Sequence, residues 1–140
     1  MPQPVKVLFV CLHGAAKSII AAEYLGRLAG STGRDLEAAA VGVEPDDAIP
    51  AHVVSGLAND GFDVTGRTPQ RLTEAEVAAA DVVISFGCSL ETGSTPRQLI
   101  TWDDIPAVSD GYGPARDAII GRLRTFLADM SVTDSGAVGD

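Results

Sequence analysis

The sequence predicts an α/β fold: a parallel sheet covered on both faces by helices, a three-layer sandwich. Three observations carry that expectation. The strand-like runs at residues 5–10 and 81–87 are apolar without alternation, which marks strands buried on both sides. Stretches with apolar residues at helical spacing separate the strand-like runs, as a parallel sheet requires of its crossovers. Proline and glycine stand at the borders of these stretches, where helices start and stop.

Taken in order, Val5, Val7, Leu8, Phe9 and Val10 form the first strand. Ile19, Ile20, Ala22, Tyr24, Leu25 and Leu28 then recur on one side of the first helix. E-A-A-A-V-G-V, residues 37–43, reads as a second strand of small residues, and residues 50–61 as a helix with Pro50 in its first turn and Gly61 at its end. Thr73 starts a short helix at 74–80, and D-V-V-I-S-F-G is a third, buried strand ending at Gly87. Residues 98–102 make a weaker fourth strand, and Pro114 opens a last helix whose Ala115, Ile119, Ile120, Leu123, Phe126 and Leu127 share one face. Residues 131–140 show no periodicity and are expected to fray as a disordered tail. A chain of 140 residues, 46% of them hydrophobic, is long enough for one core and too short for two, so residues 1–130 read as a single domain.

The formal charge of -9, from 19 acidic against 10 basic side chains, disfavours general affinity for nucleic acid or anionic membranes. Any anion must be captured locally. No stretch has the apolar length of a membrane span, and M-P-Q-P-V-K lacks the apolar segment of a secretory signal, so a cytoplasmic protein is expected. The two cysteines, Cys11 and Cys88, have no metal-ligand spacing; neither a metal nor another cofactor is expected, and a permanent disulfide is disfavoured in a reducing compartment. Asp46 and Asp47 read as turn carboxylates, His52 as a solvent-facing helix residue, and Arg67 and Arg71 as surface charges.

Cys11 stands where the first strand ends and the first helix begins. The unpartnered N–H groups of such a turn favour negative charge, whether a thiolate or a small tetrahedral oxyanion. That setting turns a cysteine into a nucleophile. A strand-end cysteine also serves elsewhere as a small apolar filler, so the neighbours matter. Leu12, His13, Gly14, Ala15 and Ala16 leave a loop able to curl around an anion, with Gly14 free to take a left-handed conformation. Lys17 adds a cation, and Ser18 a hydroxyl that can reach the sulfur or cap the helix. In a parallel sheet, ligands bind beyond the carboxyl ends of the strands, where Cys11 and Gly87-Cys88 both emerge.

The run V-L-F-V-C-L-H-G-A-A-K-S resembles the strand and C-x5-R-S loop of the low-molecular-weight protein tyrosine phosphatase superfamily, which includes the thiol-dependent arsenate reductases. A-V-G-V-E-P is similar to that family's S-A-G-T-E-P, G-F-D-V-T-G-R-T-P to G-I-D-x-S-G-H-x-P, and A-D-V-V-I-S-F-G-C to the reductases' A-D-x-V-x-T-M-G-C. The resemblance implies a four-stranded parallel sheet, Cys11 as nucleophile and residues 11–18 as the oxyanion cradle. It implies phosphate, arsenate or a sulfate-like anion as ligand, and for a reductase a thioredoxin or small-thiol partner.

Two departures bear on activity. Lys17 replaces the family's arginine, keeping charge but losing the planar fork that holds two oxygens. The family's general-acid aspartate and its proline align with Ala107 and Val108, so the resemblance leaves Asp103, Asp104 and Asp110 as candidates, Asp104 first. Tyr112 stands where it either borders the pocket or packs. Three functions remain open, with the arsenate reductase favoured because Cys88 stands in the G-C that matches the reductases. An arsenate reductase would use Cys88 or an external thiol to resolve the Cys11 adduct; a phosphatase would pass through a phosphocysteine; a non-catalytic module would only bind the oxyanion.

Overall fold

The computed structural model describes residues 4–88, 90 and 95–139, with side chains of the last helix described through Met130. In chain order the described elements are β1 (Val5–Cys11), α1 (Lys17–Ser31), β2 (Leu36–Gly42), α2 (Ala51–Asn59), α3 (Glu74–Ala79), β3 (Val82–Ser85), β4 (Leu99–Thr101), a 3-10 turn at Val108–Asp110 and α4 (Tyr112–Gly139). All strand pairs are parallel, in the order β2-β1-β3-β4, with Phe9 of β1 opposite Ala40 of β2 and Ile84 of β3.

Side chains alternate between the two faces of the sheet, and both faces are covered, which explains the unbroken apolar runs. On one face Val7, Phe9, Val82 and Ile84 pack beneath Ile20 and Leu25 of α1, Val53 and Leu57 of α2, and Ile119 and Leu123 of α4. On the other, Leu8, Val10 and Val83 meet Val41, Leu72 and Val77, the last from α3. Phe9, Phe86 and Trp102 form an aromatic group with centroid separations of 5.8–6.3 Å. Among the described residues no helix is long and apolar enough to cross a membrane.

Local signals sit where the sequence expects them, with borders moved by one or two residues. Thr73 Oγ1 accepts from Glu76 N at 3.1 Å and donates to Glu76 Oε1 at 3.0 Å, closing the first turn of α3. Past α2, Gly61 adopts φ +94 while Phe62 N returns to Leu57 O at 2.8 Å, so a left-handed residue ends the helix. α4 continues as helical backbone to Gly139 across the stretch that the sequence reads as a tail from residue 131; no proline there removes a backbone donor.

The strand order sets the place of the site. From β1 the chain crosses to β2 on one side, and β3 then enters on the other side of β1. The carboxyl ends of β1 and β3 therefore flank a switch point, the crevice that parallel sheets offer to ligands.

Candidate active site

β1 carries Cys11 at its last position, on the face covered by α1, where it is 9% exposed. The loop that follows is clamped along one side. Val43 N donates to Cys11 O at 3.2 Å, Glu44 N to Leu12 O at 2.7 Å and Asp46 N to His13 O at 3.1 Å, so the chain leaving β2 continues the sheet's ladder along residues 11–13. Gly14 takes φ +62, as the sequence expects, and its backbone lies against Gly42: a Cβ on Gly14 would come within 2.6 Å of Gly42 N, and one on Gly42 within 2.5 Å of Gly14 N. Neither position tolerates a side chain. The loop can fold this tightly over β2 only because both residues lack one.

The clamp uses the loop's carbonyls and leaves its amides. Among the described residues, no group accepts a hydrogen bond from the N–H groups of residues 12–16. Ala16, at the N-cap of α1, supplies no side-chain cap to the helix's first turn. Consecutive free amides at a helix N-terminus form a concave anion site. Ser18 is fully buried and shares a 3.0 Å hydrogen bond with Cys11 Sγ; a hydroxyl there donates to the sulfur when it is ionised.

Lys17, read from the sequence as a cation for the cradle, makes a contact that the sequence does not indicate. Its Nζ donates to Ile105 O, 3.0 Å away in the loop between β4 and α4. An ammonium has three donors, so this contact leaves two. Cys88 follows β3 and lies on the same cleft as Cys11. Its Sγ is 3.7 Å from both Val10 O and Ser85 Oγ, and Ser85 Oγ donates to Cys88 O at 3.0 Å, which holds the turn. Burial pushes the Cys88 thiol up, the Ser85 hydroxyl partly offsets that, and the nearby Cys11 sulfur adds to the rise.

These groups open onto a cleft of about 640 Å³. Its walls include Leu12, His13, Ala15, Ala16 and Lys17 from the loop and α1, Phe86 and Cys88 beside β3, and Ala107, Val108 and Ser109 before α4. The candidate acids are not among them. Asp104 is turned outward to an ion pair with Arg122 of α4, and neither Asp103 nor Asp110 lines the cleft. The carboxylates that do line it, Glu44 and Asp46, come from the loop after β2. Asp46, read from sequence as a turn carboxylate, lies 3.3 Å from His13 Nδ1, and His52, read as solvent-facing, is exposed yet borders the cleft. Tyr112 packs rather than bordering the pocket: its ring lies over Gly56 and its hydroxyl donates to Asp60 at 2.8 Å. Arg67 pairs with Glu23 and Arg71 donates to Val43 O, both outside the cleft. Gly42 and the Ile105 carbonyl escape a sequence reading because each acts through a residue remote in the chain; A-V-G-V-E-P is the nearest signal for Gly42. Among the described residues no group of three or more His, Cys, Asp or Glu is arranged to hold a metal.

The fold and the loop together define a class of parallel α/β proteins with a cysteine at the end of the first strand, at the switch point of the sheet and beneath a tight loop that leads into a helix. Residues 6–98 match the profile of the low molecular weight phosphotyrosine protein phosphatase family, and the chain belongs to it. A provisionally named arsenate reductase of Halobacterium salinarum is 32% identical over 99 residues, 67% of this chain and 68% of that protein. The thioredoxin-dependent arsenate reductase Cg_ArsC1' of Corynebacterium glutamicum superposes with a TM-score of 0.78 at 26% identity, covering 94% of this chain; this chain spans 64% of that one. A low molecular weight protein tyrosine phosphatase from T. tengcongensis has the same fold, with a TM-score of 0.80 at 19% identity over 89% of this chain and 99% of that one. The family and these neighbours comprise arsenate reductases and tyrosine phosphatases, both enzymes.

Proposed function

We propose that the protein is a cysteine-dependent arsenate reductase in which Cys11 is the nucleophile and Cys88 the resolving thiol. The observation that carries this reading is the shared cleft: a sulfur over free loop amides and a second thiol on the facing strand end. The Cys11 thiolate attacks arsenic, an S–As bond forms, and one As–O bond breaks as that oxygen leaves as water, arsenic remaining pentavalent. The Cys88 thiolate then attacks the Cys11 sulfur; the S–As electron pair passes to arsenic, which departs as arsenite, and a Cys11–Cys88 disulfide is left. An external dithiol or small thiol reduces it. The similarity to the Halobacterium protein named as an arsenate reductase and to the thioredoxin-dependent arsenate reductase of Corynebacterium glutamicum supports a reductase.

A phosphatase is the second reading, favoured by the apolar rim of Leu12, Val43, Pro50 and Phe86, which suits an organic group attached to the anion. It requires only Cys11 and water. Arsenate and an aryl phosphate assayed side by side separate the two. Cys11→Ser is expected to abolish both activities, and Cys88→Ser to abolish arsenate-dependent disulfide formation, read by mass spectrometry, while sparing ester hydrolysis. Hydrolysis without arsenate-driven thiol loss in the wild type selects the phosphatase. Phosphate binding with no turnover, and a Cys11 that alkylates no faster than free cysteine, selects a non-catalytic oxyanion module.

A further inference from the structure

The cleft's proton donor is the group that the family resemblance leaves without a residue. The loop before α4 offers Ala107, Val108 and Ser109, none of which is an acid near neutral pH, and Asp104 is held away by Arg122. The opposite wall holds a different pair. His13 Nδ1 lies 3.3 Å from Glu44 O and 3.3 Å from Asp46 Oδ1. A carbonyl only accepts, so Nδ1 carries the proton, and this tautomer leaves Nε2 as the nitrogen free to exchange one. Asp46 stabilises the doubly protonated ring. Among the described residues Nε2 has no partner, and His13 lines the cleft with Cys11.

We propose that His13, oriented by Asp46 and the Glu44 carbonyl, is the acid that protonates the oxygen leaving the anion bound over Cys11. This rests on the reading of Cys11 as nucleophile. In the first step Nε2–H passes its proton to the departing oxygen as S–As forms and As–O breaks; thiolate, hydrogen arsenate and imidazolium become the adduct, water and neutral imidazole, with charge and atoms conserved. A doubly protonated imidazole is a donor at both ring nitrogens, whereas an ionised carboxylate only accepts. The charged and titratable groups that line the cleft with His13 are Glu44 and Asp46 from the β2–α2 loop, His52 from α2, Cys11 and Lys17 from the ends of β1 and α1, and Cys88 beyond β3.

Two measurements on the full chain test it. With His52→Asn used to assign the signals, the His13 imidazole is titrated by NMR with and without inorganic phosphate. The bound anion is expected to raise its midpoint, and Asp46→Asn to lower it. An unchanged His13 midpoint with phosphate bound overturns the proposal whatever the turnover. The second measurement is the pH profile of kcat/KM, over about pH 5 to 9, for whichever of arsenate or aryl phosphate the wild type turns over. A wild-type basic limb that falls through the imidazole range, and its loss in His13→Gln with a drop of about a hundredfold at neutral pH, supports the proposal. The glutamine amide still donates to Glu44 O, so the loop keeps its anchor. A basic limb that persists in His13→Gln, or that disappears only in His52→Asn, overturns it. A wild type that binds phosphate, shifts His13 and turns over neither substrate removes the nucleophile reading instead, and the acid role with it.

Discussion

Lys17 shows how one side chain changes what the cradle can do. A guanidinium could keep the Ile105 carbonyl on one N–H and still present a planar pair to two equatorial oxygens. The ammonium that donates to Ile105 O at 3.0 Å keeps two donors for an anion but cannot present them as a fixed planar pair. Lys17→Arg is therefore expected to tighten inorganic phosphate binding about tenfold, a gain of about 1.4 kcal/mol, read by calorimetry. Lys17→Ala should weaken it and loosen the loop before α4. The charge was legible in C-x5-K; its engagement with a carbonyl 88 residues away was not, because nothing local encodes that contact.

At the scale of elements, the cradle is a loop seated on the end of a strand. Gly14 is legible as a left-handed residue from its own neighbourhood. Gly42 is not, because its requirement comes from a distant part of the chain: it must admit the backbone of a loop 28 residues earlier, and any Cβ there would press on Gly14 N and His13 C at 2.5 and 2.6 Å. Backbone cannot swing aside as a side chain can. Gly42→Ala is expected to destabilise by about 1–3 kcal/mol in urea denaturation and to weaken phosphate binding, since the loop must lift. Thr73 and Gly61 needed no such partner, and their caps match the sequence reading.

For the whole molecule, a carboxylate ties together the three helices over one face. Tyr24 of α1 donates to Asp60 Oδ2 at 2.6 Å, Tyr112 of α4 donates to it at 2.8 Å, and Arg116 lies 3.2 Å from Oδ1. Burial alone would raise Asp60, but the two hydroxyls and Arg116 outweigh it and hold the carboxyl below its ordinary 3.8. Burial and the Asp60 carboxylate push Tyr24 up to about 12. The lowered acid stabilises the fold above the unfolded-chain value of 3.8, and that contribution is lost as pH falls through the lower folded value. The raised tyrosine contributes fully below its unfolded 10.0, and its share is lost as pH rises through about 12. Asp60→Asn is expected to cost about 2 kcal/mol at neutral pH and to flatten stability at both extremes, measured by thermal melts across pH.

Unaided, the sequence determined the layers, the four strands and their parallel run, and the cysteine at a strand end. These follow from local periodicity and punctuation, which depend on neighbours in the chain. Only the tertiary structure decided which groups share the cleft. It turned Asp104 to Arg122, brought Asp46 to His13 and set Cys88 beside Cys11, because those pairings arise from strand order and loop packing, which no local pattern records.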